Sequence, residues 1–139
     1  MLYVTVLNDE ARGTQAGGYN AASDAFLRKS LESAFIAARQ GTRFRSDPIV
    51  IVRNGSSESV MVLAQPIRAK DTFRGMAAAV VTITPIQERL EEARRAGLEA
   101  YIVNNAGRLV ASNNPEQHVP GMDMVSIPIV QRFLAWHGQ

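Results

Sequence analysis

Cysteine is absent from this sequence of 139 residues. Its absence excludes thiol catalysis, cysteine-ligated zinc and disulfide bonds, and it is compatible with either the cytosol or a bacterial periplasm. Aromatic residues are scarce, at 6%, and the 15 Lys and Arg residues are scattered among 13 Asp and Glu residues. Nucleic-acid-binding proteins usually carry a basic stripe with interleaved aromatic residues, so we expect no nucleic-acid partner.

Long hydrophobic runs are also missing. The longest lies near Gly75–Ile83 and is far shorter than the ~20 residues that a membrane-spanning helix needs. No signal peptide is visible, and Met1 leads directly into the strand-like run Leu2–Leu7. We therefore expect this chain to be a fragment, with any membrane anchor outside it.

Catalytic and metal-binding signatures are missing as well. His118 and His137 are not at metal-ligand spacing, and the sequence contains no HExxH motif, calcium loop, nucleophile elbow, Walker loop or dinucleotide fingerprint. Glu88, Glu91 and Glu92 alternate with arginines, a pattern typical of a solvated, salt-paired helix face. We therefore predict that the chain is not an enzyme and has no catalytic residues, no metal site and no cofactor.

The first half of the chain has a globular composition and a regular order of secondary-structure signals. Leu2–Leu7 and Arg12–Ala16 are predicted strands. A helix follows, which Ser23 can cap and Gly41 terminates. Three more strands are predicted at the end of this half: Ile49–Val52, Val60–Ile67 and Phe73–Thr84.

The last three strands are nearly continuously apolar, so we expect both faces of their sheet to be covered at least in part. Asn54-Gly55 between the first two of them is a strong hairpin signal. Two strands, a helix and three antiparallel strands make the PAS-like pattern. The predicted fold class is therefore α/β (α+β), an antiparallel sheet with flanking helices.

The second half begins like the first. Thr84 with Gln87 forms a capping-box pattern at the start of a helix. Tyr3 and Tyr101, 98 residues apart, each open a strand, and Phe35 matches Phe133 at the same offset. The predicted strands and helix of this half are Ala100–Val103, Arg108–Ala111 and Ile127–Trp136. We predict a complete PAS-like module over residues 1–84, a connecting helix over 85–97, and a partial second module, strand-strand-helix, over 98–139.

Several segments resemble the Cache sensor domains of bacterial receptors, which are PAS-like. Ala100–Ser112 is similar to the hairpin that opens that family's second, membrane-proximal module, with Asn104 or Asn105 in place of the usual Asp. The first predicted module resembles the family's membrane-distal module from the central helix to the helix that leaves the module. The matching segments are Phe35–Gly41, Arg45–Pro48, Met61–Pro66, Phe73–Met76 and Val80–Pro85. The chain is thus similar to a fragment of a double-Cache receptor.

This resemblance implies extracytoplasmic sensing of a small molecule by a bacterial transmembrane signal-transduction receptor. The segment would lie on the periplasmic or extracellular side of the cell membrane. Its partners would be an unidentified small-molecule ligand, the remainder of the receptor chain and, in a homodimer, a second copy. The family's amino-acid-binding pattern, an Arg followed closely by Trp-Tyr, is not found, which argues against an amino-acid ligand.

Four polar residues are the candidate ligand-binding site. Gln65 interrupts an apolar strand, where a buried amide needs partners that either a ligand or the protein itself would supply. Arg45 and Arg53 flank the strand Ile49–Val52 and have the chemistry to bind a carboxylate, although both could be solvent-facing edge residues. Tyr3 could hydrogen-bond into the same cavity or simply pack in the core. The alternative function is a PAS-like dimerisation or interaction module without a ligand of its own, which predicts a filled core and protein partners for Gln65.

Overall fold

The computed structural model describes residues 2–21 and 24–137. The chain divides into two compact units, which are treated separately below. Unit 1 comprises residues 1–46 and 60–82, and unit 2 comprises residues 47–59 and 83–139. The module boundaries expected from the sequence, after residues 84 and 97, stay a prediction.

An antiparallel sheet forms the centre of unit 1. Its strands are β1 (Tyr3–Asn8), β2 (Gly13–Ala16), β3 (Phe44–Arg45), β5 (Ser56–Ala69, from Val60 onward) and β6 (Thr72–Thr82). They run in the order β2-β1-β6-β5-β3, so the first strand of the chain lies beside the last strand of the unit. Strand β4 (Ile49–Arg53) belongs to unit 2, as do the first residues of β5, with which it forms the predicted hairpin around Asn54-Gly55, both at positive φ.

The two faces of the sheet differ in burial. Val62 pairs with Val80 and Ala64 with Ala78, and all four side chains are buried on one face. The intervening residues of β5 point to the other face, where Leu63 and Ile67 are each 39% exposed. Met61 lies on the same face as Leu63 but is buried, so this face is covered in part, as the sequence predicts, and becomes open from Leu63 to Ile67.

Helix α1 (Ala25–Arg39) packs against β6 and β3. Asp24 is its N-cap and accepts hydrogen bonds from the backbone N–H groups of Phe26 and Leu27, whereas Ser23, the predicted cap, lies outside the described residues. The helix buries the side chains that face the sheet: Leu27, Ala34 and Ala38.

Gly75 is required where β6 passes β1. Its φ is +156°, and a Cβ at this position would overlap the carbonyl oxygen of Leu7 on the neighbouring strand. Gly75 pairs with Asn8 on β1 and with Ile67 on β5, next to a register shift between Ile67 and Arg68. The glycine thus lets three backbones approach one another where the central strands begin to pair.

Unit 2 contains helix α2 (Thr84–Arg95), the two-stranded sheet of β7 (Tyr101–Val103) and β8 (Leu109–Ser112), and helix α3 (Pro128–His137). Its core is a cluster of Leu109, Met124 and Val130. The predicted capping box does not match the observed helix start, because Ile83, not Thr84, is the N-cap and Ile83 makes no side-chain cap hydrogen bond. The Gln87 amide instead donates to the carbonyl oxygen of Ser112, 2.5 Å away.

Asn104 shapes the β7–β8 turn. Its side-chain oxygen accepts hydrogen bonds from the backbone N–H groups of Ala106 and Arg108, 2.9 and 3.0 Å away. Its amide nitrogen donates to a carboxylate oxygen of Asp47 at 2.7 Å. An Asp at this position would accept both turn bonds but, as a carboxylate, could not donate to Asp47.

Asn113 joins α2 to the hairpin of unit 2. It is 3% exposed. Its amide nitrogen donates to the carbonyl oxygens of Leu90 and Leu98 at 3.0 and 2.8 Å, and its side-chain oxygen accepts from the backbone N–H of Ala100 at 3.0 Å. Three bonds from one buried amide hold the end of α2 against the start of β7.

Replacing Asn113 with Ala should lower the free energy of unfolding by about 2–4 kcal/mol, because two carbonyls and one N–H lose their partner in a buried place. Chemical denaturation of the whole chain measures this change. Asn114→Ala is the matched control, since Asn114 is more exposed and its side chain makes none of these bonds. Equal stability of the Asn113→Ala variant and the parent would contradict the structural role of this amide.

Candidate functional site

A groove of about 560 Å³ lies on the open face of the unit 1 sheet. This volume is within the usual range for small-molecule sites. The groove combines a floor of small and apolar residues with three long polar side chains. Its lining residues are Val4, Arg43, Phe44, Arg45, Leu63, Ala64, Gln65, Ala77, Ala78 and Ala79.

Strand register brings the polar side chains of the groove together. Arg45 pairs with Leu63, and Gln65 pairs with Ala77 on the next strand. Because side chains alternate along a strand, Leu63 and Gln65 point to the same face, and so do their cross-strand partners. Arg45 and Gln65 are therefore diagonal neighbours, and the structure brings these two predicted site residues to one place.

The edge strand that carries Arg45 is held by reciprocal hydrogen bonds. The backbone N–H of Ser46 donates to the carbonyl oxygen of Val62 at 2.9 Å, and the Val62 N–H donates to the Ser46 hydroxyl at 2.9 Å. Ser46 is 7% exposed. Because β3 is only two residues long, this serine extends its attachment to β5 and fixes the position of Arg45.

Positive charge is concentrated at the β3 side of the groove. Arg43 and Arg45 are both exposed, and no carboxylate is among the residues that line the groove. Within the described ranges, neither guanidinium has an ion-pair partner within 4 Å. The groove thus offers two cationic groups to an anion.

Gln65 is exposed, not buried as the sequence suggested. The apolar residues on either side of it along β5 gave the impression of a buried strand. The register shows instead that Gln65 lies on the open face, opposite the half-buried Ala77. Its amide therefore has no need of an internal partner and is accessible from the groove.

Tyr3 lies on the other face of the sheet. It pairs with Val80, whose side chain is in the core, and its hydroxyl donates to the side-chain oxygen of Gln15 at 2.7 Å. Together with Tyr19 it borders a separate recess of about 280 Å³. Desolvation raises the pKa of Tyr19, and the nearby Asp24 carboxylate raises it further.

Arg53 is not brought together with the other candidates. It belongs to unit 2, where its Nε forms an ion pair with Glu58 Oε2 at 2.9 Å. Arg43, by contrast, lines the groove and was missed. Its sequence signal was available, because Arg43 is two residues from Arg45 and alternate residues of an extended chain share a face.

Ser112, His118 and Glu99 in unit 2 resemble a catalytic triad only in composition. The Ser112 hydroxyl is 3.3 Å from His118 Nδ1, and the Glu99 carboxylate is 3.9 Å from the same nitrogen. A triad needs the serine and the acid on opposite nitrogens of the imidazole, so this arrangement cannot relay a proton from the hydroxyl. The described residues also contain no group of three potential metal ligands.

The chain shares its fold with ligand-binding domains of bacterial chemoreceptors. The domain of Mlp24, solved with asparagine, superposes with a TM-score of 0.56 and 16% identity over 91% of this chain and 52% of that one. The sensory domain of Campylobacter jejuni Tlp3 gives 0.58 and 12% identity over 95% and 53%. The domain of the Pseudomonas aeruginosa amino acid chemoreceptor PctB, in complex with L-Gln, gives 0.51 and 12% over 89% and 49%.

These similarities confirm the expected fold, an antiparallel PAS-like sheet with flanking helices, and its likeness to Cache-type sensor domains. The chain spans about half the length of the solved structures that it resembles. No protein-family model matches the sequence, and no curated protein matches it either.

Replacing Ser46 with Ala should destabilise the chain by about 1–3 kcal/mol, because the buried N–H of Val62 would lose its acceptor. Loosening β3 should also weaken any binding that depends on Arg45. Chemical denaturation measures the stability change, and Ser33→Ala on the exposed side of α1 is the matched control. A Ser46→Ala variant as stable as the control variant would show that the hydroxyl does not hold the strand.

Proposed function

We propose that this chain is an extracytoplasmic small-molecule sensing segment of a bacterial transmembrane signal-transduction receptor. The observation that carries the proposal is the groove with Arg45 and Gln65 on a fold shared with chemoreceptor ligand-binding domains. The described part of the chain contains no helix with the length and hydropathy of a membrane span. The membrane context of the proposal therefore comes from the related receptors.

A ligand in the groove would act through the sheet. Gln65 and Ala77 face the groove, whereas the adjacent Ala64 and Ala78 are buried on the core face, towards which α1 packs. A ligand bound in the groove would therefore contact the same strands whose other face forms the core. Such a ligand can shift a two-state receptor only by its difference in affinity for the two states.

No catalytic step is part of this proposal. The Glu99 carboxylate and the Ser112 hydroxyl lie against the same imidazole nitrogen of His118, and Ser112 is only 4% exposed, so the three residues do not form a triad open to a substrate. The groove itself has arginines and an amide but neither a general base nor a nucleophilic hydroxyl or thiol among its lining residues. Its chemistry suits reversible binding.

A ligand from a library of organic acids, amino acids, amines, purines and sugars should raise the melting temperature of the purified chain. At ~100 times its dissociation constant, a ligand that binds only the folded state adds about 2.7 kcal/mol of stability. The shift should be lost in Arg45→Ala and Gln65→Ala but retained in Arg74→Ala, a control with an exposed arginine on β6 outside the groove.

Two other results are informative. A shift that survives these variants but disappears in Tyr3→Phe would place the ligand in the recess beside Tyr3 on the opposite face. No shift with any compound would contradict a ligand site in this chain.

The second candidate function is a ligand-free interaction module, favoured by the apolar character of the open face. Val6 is 45% exposed and Leu63 and Ile67 are 39% exposed, which is unusual for one face of a sheet in water. A homodimer would bury these side chains against a second copy.

If the face is an interface, the chain should dimerise with increasing concentration in sedimentation velocity experiments. Leu63→Arg should then abolish the dimer, because it buries another positive charge directly opposite Arg45. Ile36→Arg, at an exposed position on α1, is the control and should leave it intact. A chain that remains monomeric throughout would exclude this candidate.

A further inference from the structure

We infer that one end of unit 1 is a docking surface for an acidic protein. This end, called the turn end below, is formed by residues 9–12, 39–41 and 68–74, which comprise the β1–β2 turn, the end of α1 and the β5–β6 turn. The turn end is separate from the groove, so its proposed role is independent of ligand sensing. Three features support it: the way the segments meet, the charges that they carry, and the backbone conformation of one exposed lysine.

The three segments are held together by strand pairing and by two arginines. Asn8, at the end of β1, pairs with Gly75, which lies close to the β5–β6 turn, so both turns are at the same end of the sheet. The Arg39 guanidinium, at the end of α1, donates to the carbonyl oxygen of Asp9 at 2.7 Å. The Arg68 guanidinium lies against the glycine that follows α1, where a Cβ would overlap one of its nitrogens. The two turns and the helix end therefore form one continuous surface.

Positive charge exceeds negative charge at the turn end, and most of it is not neutralised. The cations are Arg12, Arg39, Arg68, Lys70 and Arg74, all exposed, and the acidic residues are Asp9, Glu10 and Asp71. Among these cations only Arg12 has an ion-pair partner in the described ranges, namely Glu10 at 3.6 Å. Arg39 and Arg68 donate to main-chain carbonyl oxygens, which carry no net charge. Four cations thus remain for a partner to neutralise.

The backbone of Lys70 adopts a conformation that favours glycine. This lysine is the first of the two residues in the β5–β6 turn, and its φ is +57°. A side chain at positive φ costs free energy that glycine avoids, and strained positions of this kind cluster at functional sites. The Lys70 ammonium makes no hydrogen bond or ion pair within residues 2–21 and 24–137. Folding therefore gives no reason for a lysine here, whereas binding of an anionic group does.

The mixture of charges at the turn end favours a protein as the partner. Nucleic acid and anionic bilayers present dense negative charge, which the three acidic residues of the turn end would repel. A protein surface carries discrete carboxylates that can each meet one cation and avoid the like charges. A second copy is a poorer partner at this place, since two positive turn ends would repel each other.

A synthetic peptide of alternating Glu and Ala residues serves as the acidic probe, and a peptide of alternating Lys and Ala is its control. Fluorescence anisotropy of the labelled peptides should show that the acidic one binds the whole chain at low salt and is released at high salt, because exposed charges are screened. The basic peptide should not bind. Vesicles that contain phosphatidylglycerol and single-stranded DNA are tested in parallel, and any binding of these two should not depend on the turn end.

Charge-reversal variants test the location. Lys70→Glu combined with Arg74→Glu should weaken binding of the acidic peptide by at least about tenfold, since two attractions become repulsions. The matched control is Arg28→Glu combined with Lys29→Glu, near the start of α1, which changes the net charge equally and should alter the affinity by less than about twofold.

A single variant separates binding from folding. Lys70→Gly should weaken binding of the acidic peptide by about threefold, because one cation is lost. Its melting temperature should equal or exceed that of the parent, because glycine relieves the strain at positive φ. A cation that merely stabilised the turn would instead lower the melting temperature when removed.

Several results would overturn the inference. Equal weakening by the two double variants would mean that net charge alone attracts the peptide. No binding of the acidic peptide at low salt would remove the docking surface. Binding of vesicles or DNA that is lost with the Lys70 and Arg74 reversals would assign the turn end to a polyanion, and dimerisation lost in the same way would assign it to a second copy. Lys70→Gly with unchanged affinity would exclude the lysine from the surface.

Discussion

The antiparallel pairing of β5 with β6 is the constraint on which the rest of unit 1 depends. It aligns Val60 with Thr82 at one end and Ala69 with Thr72 at the other. This register decides which side chains enter the core and which remain on the open face, and a slip of one residue would exchange the two sets. The core that α1 covers and the groove that contains Gln65 therefore lie on opposite faces of the same pair of strands. Gly75 permits the pairing of β6 with its other neighbour, since a side chain there would collide with β1.

Much of this fold follows from local sequence patterns. The hairpin at Asn54-Gly55, the break at Gly41 and the final helix were all predicted from residue types that leave few backbone alternatives. The capping box at Thr84 was wrong because the helix has Ile83 as its N-cap, one residue earlier than predicted. The hydrogen bond from the Gln87 amide nitrogen to the carbonyl of Ser112 could not be predicted from a local pattern, because Ser112 is distant in the sequence.

The candidate site was less predictable, because it depends on strand parity and pairing. Tyr3 and Gln65 both lie in apolar strands, but only the register with β6 shows that they point to opposite faces. The apolar neighbours of Gln65 suggested burial, whereas alternation places it on the open face. Arg45 was found and Arg43 was not, although the two lie at alternate positions and both line the groove. Arg53 shows the reverse case, since it does not line the groove and its charge is paired with Glu58 within unit 2.

The open sheet face is common to the two proposed functions, ligand binding and self-association, which would therefore compete for it. An apolar floor favours any partner that removes it from water, whether a small molecule or a second copy. Arg43 and Arg45 make the two partners unequal, because covering the face with a second copy would bring like charges from both copies towards one interface, at a cost in electrostatic free energy. A small molecule avoids this cost, since it covers the alanines without adding further guanidinium groups. The charge distribution therefore favours the first proposed function over the second.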